Sequence, residues 1–170
     1  MMKSDDARSE NATEKPLDNP VQRRAHEAVA KYLGELFDEP IQEEPDGHFY
    51  VRFGSTVLEI SVAPYEDDAV VVIMAYCVQD AILEEELLLG LLELNHRVPF
   101  GSFSVVDTDV FFSYSVLGTN LDRNTLLAAL NAVATVSDEY DDLIVAKYGG
   151  QTALERIRDT GGRQRRVREL

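Results

Sequence analysis

The feature that most constrains this chain is an unbroken apolar run, AVVVIMAYCV, from Ala69 to Val78. At ten residues it is half the length a bilayer span needs, roughly 20 residues. Its β-branched content favours a strand, and apolar side chains on both faces require cover on both sides. The run therefore predicts a central strand, around which the rest of the chain must supply neighbouring strands and a layer of helices.

The flanking sequence supplies both. Upstream, Phe49, Val51 and Phe53 alternate with His48, Tyr50 and Arg52, and Leu58, Ile60 and Val62 alternate with Val57, Glu59 and Ser61. Period-two patterns of this kind mark half-buried strands. Gly54-Ser55 between them suits a tight hairpin, and Glu66-Asp67-Asp68 turns the chain into the central run. Downstream, Ser102–Val106 and Val110–Leu117 alternate again, joined by Asp107-Thr108-Asp109.

Helical spacing separates these strands. Asn19 caps a helix whose first position is Pro20, where no amide donor is needed. Val21, Ala25, Val29, Leu33 and Leu36 then recur on one side, and the helix ends near Pro40 after which Glu43–Gly47 turns. A second helix runs from Leu83 to about His96 and stops before Pro99; a third starts around Asp122 and ends at Gly149-Gly150. The order α-β-β-β-α-β-β-α predicts an α+β fold, a five-stranded antiparallel sheet packed against helices. Single strands do not alternate with single helices, so a doubly wound nucleotide-binding sheet is excluded.

This reading divides the chain into a disordered acidic segment (1–18), one domain (19–148) and an Arg-rich tail (149–170). Six arginines against Asp159 and Glu169 give residues 156–170 a balance of +4, so that of the total of −15 the rest of the chain carries −19. A surface that negative repels phosphate backbones, and no nucleic acid is expected on the folded domain. The tail either touches RNA, membrane phosphates or acidic protein, or is a disordered end that raises solubility or folds back on the acidic body.

Candidate chemistry is sparse. The acidic clusters at Glu43-Glu44, Asp67-Asp68, Glu84–Glu86, Asp107/Asp109 and Asp138–Asp142 do not match a calcium loop. His26, His48 and His96 lie on three elements without metal-motif spacing. No G-x-S-x-G turn or phosphate-cradling glycine loop occurs. No catalytic residue, metal site or cofactor is assigned. The single cysteine, Cys77, lies within the central strand and reads as an inert buried thiol. Together with a polar, acidic N-terminus that has no apolar stretch, it points to a cytoplasmic protein without a membrane span.

Two surfaces remain. In the middle helix Leu87, Leu88, Leu91 and Leu94 form one apolar side, and Leu89 and Leu92 extend it beyond an ordinary stripe. Such a helix is either clamped between sheet and helix of its own chain or forms a subunit interface; Leu88, Leu89 and Leu92 are assigned to a homodimer interface. If Phe49, Val51, Phe53, Leu58, Ile60, Phe103, Phe112 and Tyr114 face the helices, their alternates Tyr50, Val57, Val106, Phe111 and Leu117 face away from them, interleaved with small polar groups. That mixture suits an extended peptide, and the first strand is the expected exposed edge.

The segment LLELNHRVPFGSFSVVDTDVFFSYSVLGTNLDRNTLLAAL, Leu91 to Leu130, resembles the YbjN family: an apolar helix ending in Asn-x-x, a short gap to Phe-Gly-x-Phe, a strand hairpin, and a helix entered through a polar cap. Asn95, Phe100, Gly101 and Phe103 carry the likeness. The element order over residues 20–147 also resembles that of class I type III secretion chaperones, to which YbjN proteins are structurally related. The resemblance implies a small acidic homodimer that holds a segment of an effector unfolded. The resulting expectation is a non-catalytic, peptide-binding, chaperone-like adaptor with a polypeptide client. The alternatives are a sensory or transcriptional regulator acting through a regulatory protein partner, and a small enzyme with an unrecognised site.

Overall fold

The computed structural model describes residues 19–38, 42–43, 47–53 and 56–160, with only the backbone of residues 42, 43 and 160. The acidic segment 1–18, the Gly54-Ser55 turn, part of the Glu43–Gly47 turn and the arginines beyond residue 160 lie outside the described residues.

The described chain runs α1 (Pro20–Leu36), β1 (Gln42–Glu43), β2 (Phe49–Phe53), β3 (Thr56–Tyr65), β4 (Asp68–Gln79), α2 (Glu85–Arg97), β5 (Ser102–Val106), β6 (Asp109–Leu117), a short 3-10 turn, α3 (Arg123–Tyr148), β7 (Gln151–Thr152) and α4 (Ala153–Thr160). The sheet order is β1-β2-β3-β4-β6-β5, with β7 on the far end of β4, and every pairing is antiparallel. The fold is α+β in the expected element order, with β1, β7 and α4 added to it.

The starts of α1 and α3 follow their sequence signals. The Asn19 carboxamide accepts from the Val21 amide at 2.8 Å and donates to the Asp68 carbonyl at 3.2 Å, capping α1 and tying it to the β3–β4 turn. The Asp122 carboxylate accepts from the Thr125 amide at 2.7 Å, a bond that holds its pKa below the usual range. α1 lies over β3 and β4 through Ala25, Val29 and Leu33; α3 lies over β3, β4 and β6 through Leu126, Leu130, Val133 and Ile144; α2 sits over β5 through Leu87 and Leu91. The main core fills the space between these helices and one face of the sheet.

β4 is central, between β3 and β6. Its two faces are not equally covered along its length. From Asp68 to Met74 buried and half-buried residues alternate, whereas Ala75–Gln79 are buried without a break. A register shift between Tyr76 and Val78 marks the change, as a β-bulge does. Full cover begins only there because β7 and α4 pack against that end of β4 alone.

Two sequence expectations change. The first long strand, β2, is not a bare edge, since β1 pairs outside it at Phe49 and Tyr50. The Gly149-Gly150 pair does not end the ordered chain. It is a turn with left-handed φ values of 69° and 87°, after which β7 and α4 return to the sheet.

Candidate functional site

The face of the sheet turned away from α1, α2 and α3 carries the residues singled out for peptide contact. Cross-strand register sets Tyr50, Glu59, Met74, Ser113 and Ser102 in one row, and Tyr76, Phe111 and Ser104 in the next. The Glu59 carboxylate, nearly buried in this face, lies 2.8 Å from His48 Nδ1 and accepts from the Tyr76 hydroxyl at 3.2 Å. Acidic, aromatic and small hydroxyl side chains thus share one face of the sheet.

Tyr50, Val57, Val106, Phe111 and Leu117 all belong to it, but they do not form one patch. Tyr50 and Val57 are half-buried on the β2–β3 side. Leu117 is 43% exposed at the end of β6, six residues and so about 20 Å along the strand from Phe111. Phe111 is only 1% exposed. It meets Tyr76 edge-on at 4.8 Å, and Ala153 of α4 closes over both, with Met74 and Val106 packed alongside. The face is therefore not open at Phe111, because the chain's own C-terminal helix covers it.

α4 is built by a signal that composition concealed. Thr152 and Glu155 form a capping box: the Glu155 carboxylate accepts from the Thr152 amide at 2.8 Å, and the Thr152 hydroxyl accepts from the Glu155 amide at 3.4 Å. Arg156 then reaches Asp80 at 2.7 Å. Asp80 sits in the left-handed region, φ 57°, at the bend beyond β4; its amide donates to Asp109 Oδ1 and its carboxylate accepts from the Thr108 hydroxyl.

The second surface is α2 with the neighbouring edge strand. Leu88, Leu89 and Leu92 are 39%, 53% and 65% exposed, whereas Leu87 and Leu91 are buried. The three leucines therefore lack cover within the described chain. Leu89 and Leu92 line an open depression with Glu93, His96 and Arg97. Phe100, also more than half exposed, lies just beyond, its ring 5.5 Å from Tyr114.

The geometry here accounts for Asn95, Gly101 and Phe103. The Asn95 carboxamide accepts from the Phe103 amide at 2.6 Å and donates to the Phe103 carbonyl at 3.1 Å. On the outer side of edge strand β5, a side-chain amide occupies the place that the backbone of a further strand would take. Phe103 is thereby seated edge-on against Phe112 and Tyr140. Gly101 has φ 77°, and a Cβ there would lie 2.6 Å from the Ser113 carbonyl, so no other residue fits.

Burial pushes the Cys77 thiol up to about 12, beneath the hydroxyl of Ser137 at 3.3 Å. Partial burial, with Asp142, Asp138 and Glu155 nearby, raises Asp141 to about 6. Among the described residues no group of three His, Cys, Asp or Glu side chains could hold a metal ion, and no helix is long and apolar enough to cross a membrane.

Residues 23–156 match the family described as "T3SS (YopN, CesT) and YbjN peptide-binding chaperone 1", TY-Chap1. The chain belongs to this family. The TY-Chap1 match starts within α1 and reaches into α4. Solved structures share the fold at low identity. The crystal structure of the ExsC–ExsE complex matches with a TM-score of 0.58 and 15% identity over 74% of this chain and 96% of the other. The HopA1–SchA chaperone–effector complex matches with a TM-score of 0.57 and 10% identity over 71% and 95%. The Yersinia pestis type III secretion chaperone SycH, in complex with a fragment of YscM2, matches with a TM-score of 0.50 and 16% identity over 68% and 98%. No curated protein sequence matches the chain. At these identities the solved structures establish the TY-Chap1 architecture and nothing finer.

Proposed function

We propose that this protein is a non-catalytic, cytoplasmic chaperone-like adaptor that holds a segment of another polypeptide and acts as a homodimer. The observation that carries the reading is the TY-Chap1 match along nearly the whole described chain, on a fold that leaves the α2 leucines and Leu117 of the sheet face exposed. Solved relatives of this fold that carry a bound polypeptide, such as the chaperone–effector complex HopA1–SchA, support it. The sheet face with Tyr50, Val57, Val106, Phe111 and Leu117 receives the client. Leu88, Leu89 and Leu92 of α2 pack against a second subunit, since soluble proteins rarely leave large contiguous apolar patches in water. One domain from residue 19 to about 148 carries both surfaces.

Affinity purification from the native host with mass spectrometry tests the client half. One dominant polypeptide should co-purify in near-stoichiometric amount, and Tyr50→Asp or Leu117→Asp should reduce it while leaving the circular dichroism unchanged. Absence of any co-purifying polypeptide refutes the adaptor reading. Light scattering tests the dimer: Leu92→Glu should halve the measured mass, and a wild-type monomer at micromolar concentration would exclude the interface.

A further inference from the structure

We propose that α4 is a self-ligand: it holds the place on the sheet at which a client helix docks, and its own chemistry describes that client. The inference rests on the peptide-binding reading above and adds to it the occupant of one part of the face.

The surface beneath α4 is a separate apolar patch made of Tyr76, Phe111, Met74 and Val106. Among the described side chains of α4 only Ala153 is fully buried there, over two aromatic rings that meet edge-on. Leu154 and Ile157 remain half-buried. A helix of eight residues does not persist alone in water, so α4 exists by virtue of this docking. The docking is shallow in apolar terms and is pinned at its rim by a polar contact to the rest of the chain. This is the Arg156–Asp80 pair at 2.7 Å, whose aspartate is half exposed; the exposed Gln151–Asp159 hydrogen bond at 2.8 Å lies within the β7–α4 unit and moves with it. A partly exposed ion pair of this kind is weak and salt-sensitive.

Two further features make release inexpensive. The strand leading into α4 is held to β4 by only two residue pairs, Val78–Thr152 and Gln79–Gln151. It is preceded by Gly149 and Gly150, both at positive φ, a ready hinge. The Gln79 side chain, 2% exposed, has neither its amide nitrogen nor its oxygen bonded to any described group. Lifting β7 and α4 opens this end of β4 to water, which satisfies the amide and offsets part of the loss. A lightly anchored element thus covers the apolar part of the sheet face, as expected of a unit that opens without global unfolding.

The occupant in place defines its replacement. It is a short amphipathic helix with a small apolar residue against Tyr76 and Phe111, and an arginine three positions later for Asp80. The client is therefore an arginine-bearing amphipathic helix of another polypeptide, and binding it requires α4 to leave.

The probe is a fluorescein-labelled peptide of residues 151–170, added to the full-length chain. Wild type should bind it weakly. The full-length Ala153→Glu variant, whose own α4 cannot seat, should bind it at least tenfold tighter, and Arg156→Ala should show a smaller gain of about threefold. Trypsin cleavage after Arg158, an exposed α4 residue present in both variants, checks that α4 has lifted. Should Ala153→Glu fail to fold, Arg156→Ala alone decides, since it removes only the rim contact. Equal weak binding to wild type and to a variant with α4 lifted would overturn the proposal. So would a fall in molar mass on Ala153→Glu, which would place α4 on a second copy of the chain. The peptide should also displace a co-purified partner. A partner that remains bound sinks α4's role alone, whereas failure to find any partner sinks the adaptor reading beneath it.

Discussion

Removing the Asn95 carboxamide should show how much the closure of β5 contributes to stability. Its two bonds to Phe103, at 2.6 Å and 3.1 Å, are each worth about 1 kcal/mol net. Asn95→Ala opens the site to water, which replaces part of both, so the expected loss is about 1–2 kcal/mol. Asn95→Leu keeps water out and leaves the Phe103 amide and carbonyl without partners, raising the expected loss to about 2–4 kcal/mol. Asn95→Asp keeps an acceptor for the amide but sets a carboxylate against the carbonyl. It should be worse than alanine at pH 7 and recover at low pH, where the protonated carboxyl donates. Urea denaturation monitored by circular dichroism measures all three as shifts in midpoint at constant slope. A leucine variant no less stable than the alanine variant would show that the Phe103 groups do not depend on Asn95, and the reasoning would fail.

Other substitutions probe different parts of the fold. Gly101→Ala combines a φ of 77° with a contact of 2.6 Å to the Ser113 carbonyl, and should cost at least about 2 kcal/mol by the same denaturation assay. Asp141 has its folded pKa raised to about 6, burial first among the causes; because the unfolded carboxyl ionises first, stability is lost as pH rises from about 4 to about 6. Asp141→Asn should therefore stabilise the protein at pH 7 by up to about 1 kcal/mol, allowing for solvent screening, and have no effect near pH 4. Deleting residues 159–170 removes the Gln151–Asp159 hydrogen bond but leaves Ala153 and Arg156 in place. The melting midpoint should move by no more than about 4 °C in calorimetry.

The long elements were readable from sequence because each is decided by its own local pattern. Asn19-Pro20 and Asp122 announced α1 and α3, and the alternation of Phe49–Phe53 and Val110–Leu117 announced β2 and β6. The direction of side chains across the sheet followed from the same period. What was not readable depends on contacts distant in sequence. β1 and β7 are two residues each, too short to carry a period, and form only because β2 and β4 offer them unpaired backbone. α4 was hidden by averaging: six arginines near the C-terminus suggested a solvated tail, although Thr152 and Glu155 form a capping box just after the glycine pair. Its cover over Phe111 could not be foreseen from Phe111 itself, whose place in the alternation is the same whether that face is open or closed. The full burial of the central strand was expected throughout, but holds only from Ala75 onward, where that same cover reaches it.

Cys77, the single thiol of the chain, sits on the helix-facing side of β4 with Ser137 of α3 directly above it. Sealed there and with its pKa pushed up to about 12, it is silent toward alkylating reagents until α3 separates from the sheet. α4 lies on the opposite face, and its departure leaves that seal intact. The molecule thus carries a built-in clock that runs only on opening of its main core. It also offers a blank background for labelling: a cysteine placed on α4 would react at the rate of α4's own excursions while the native thiol stayed dark.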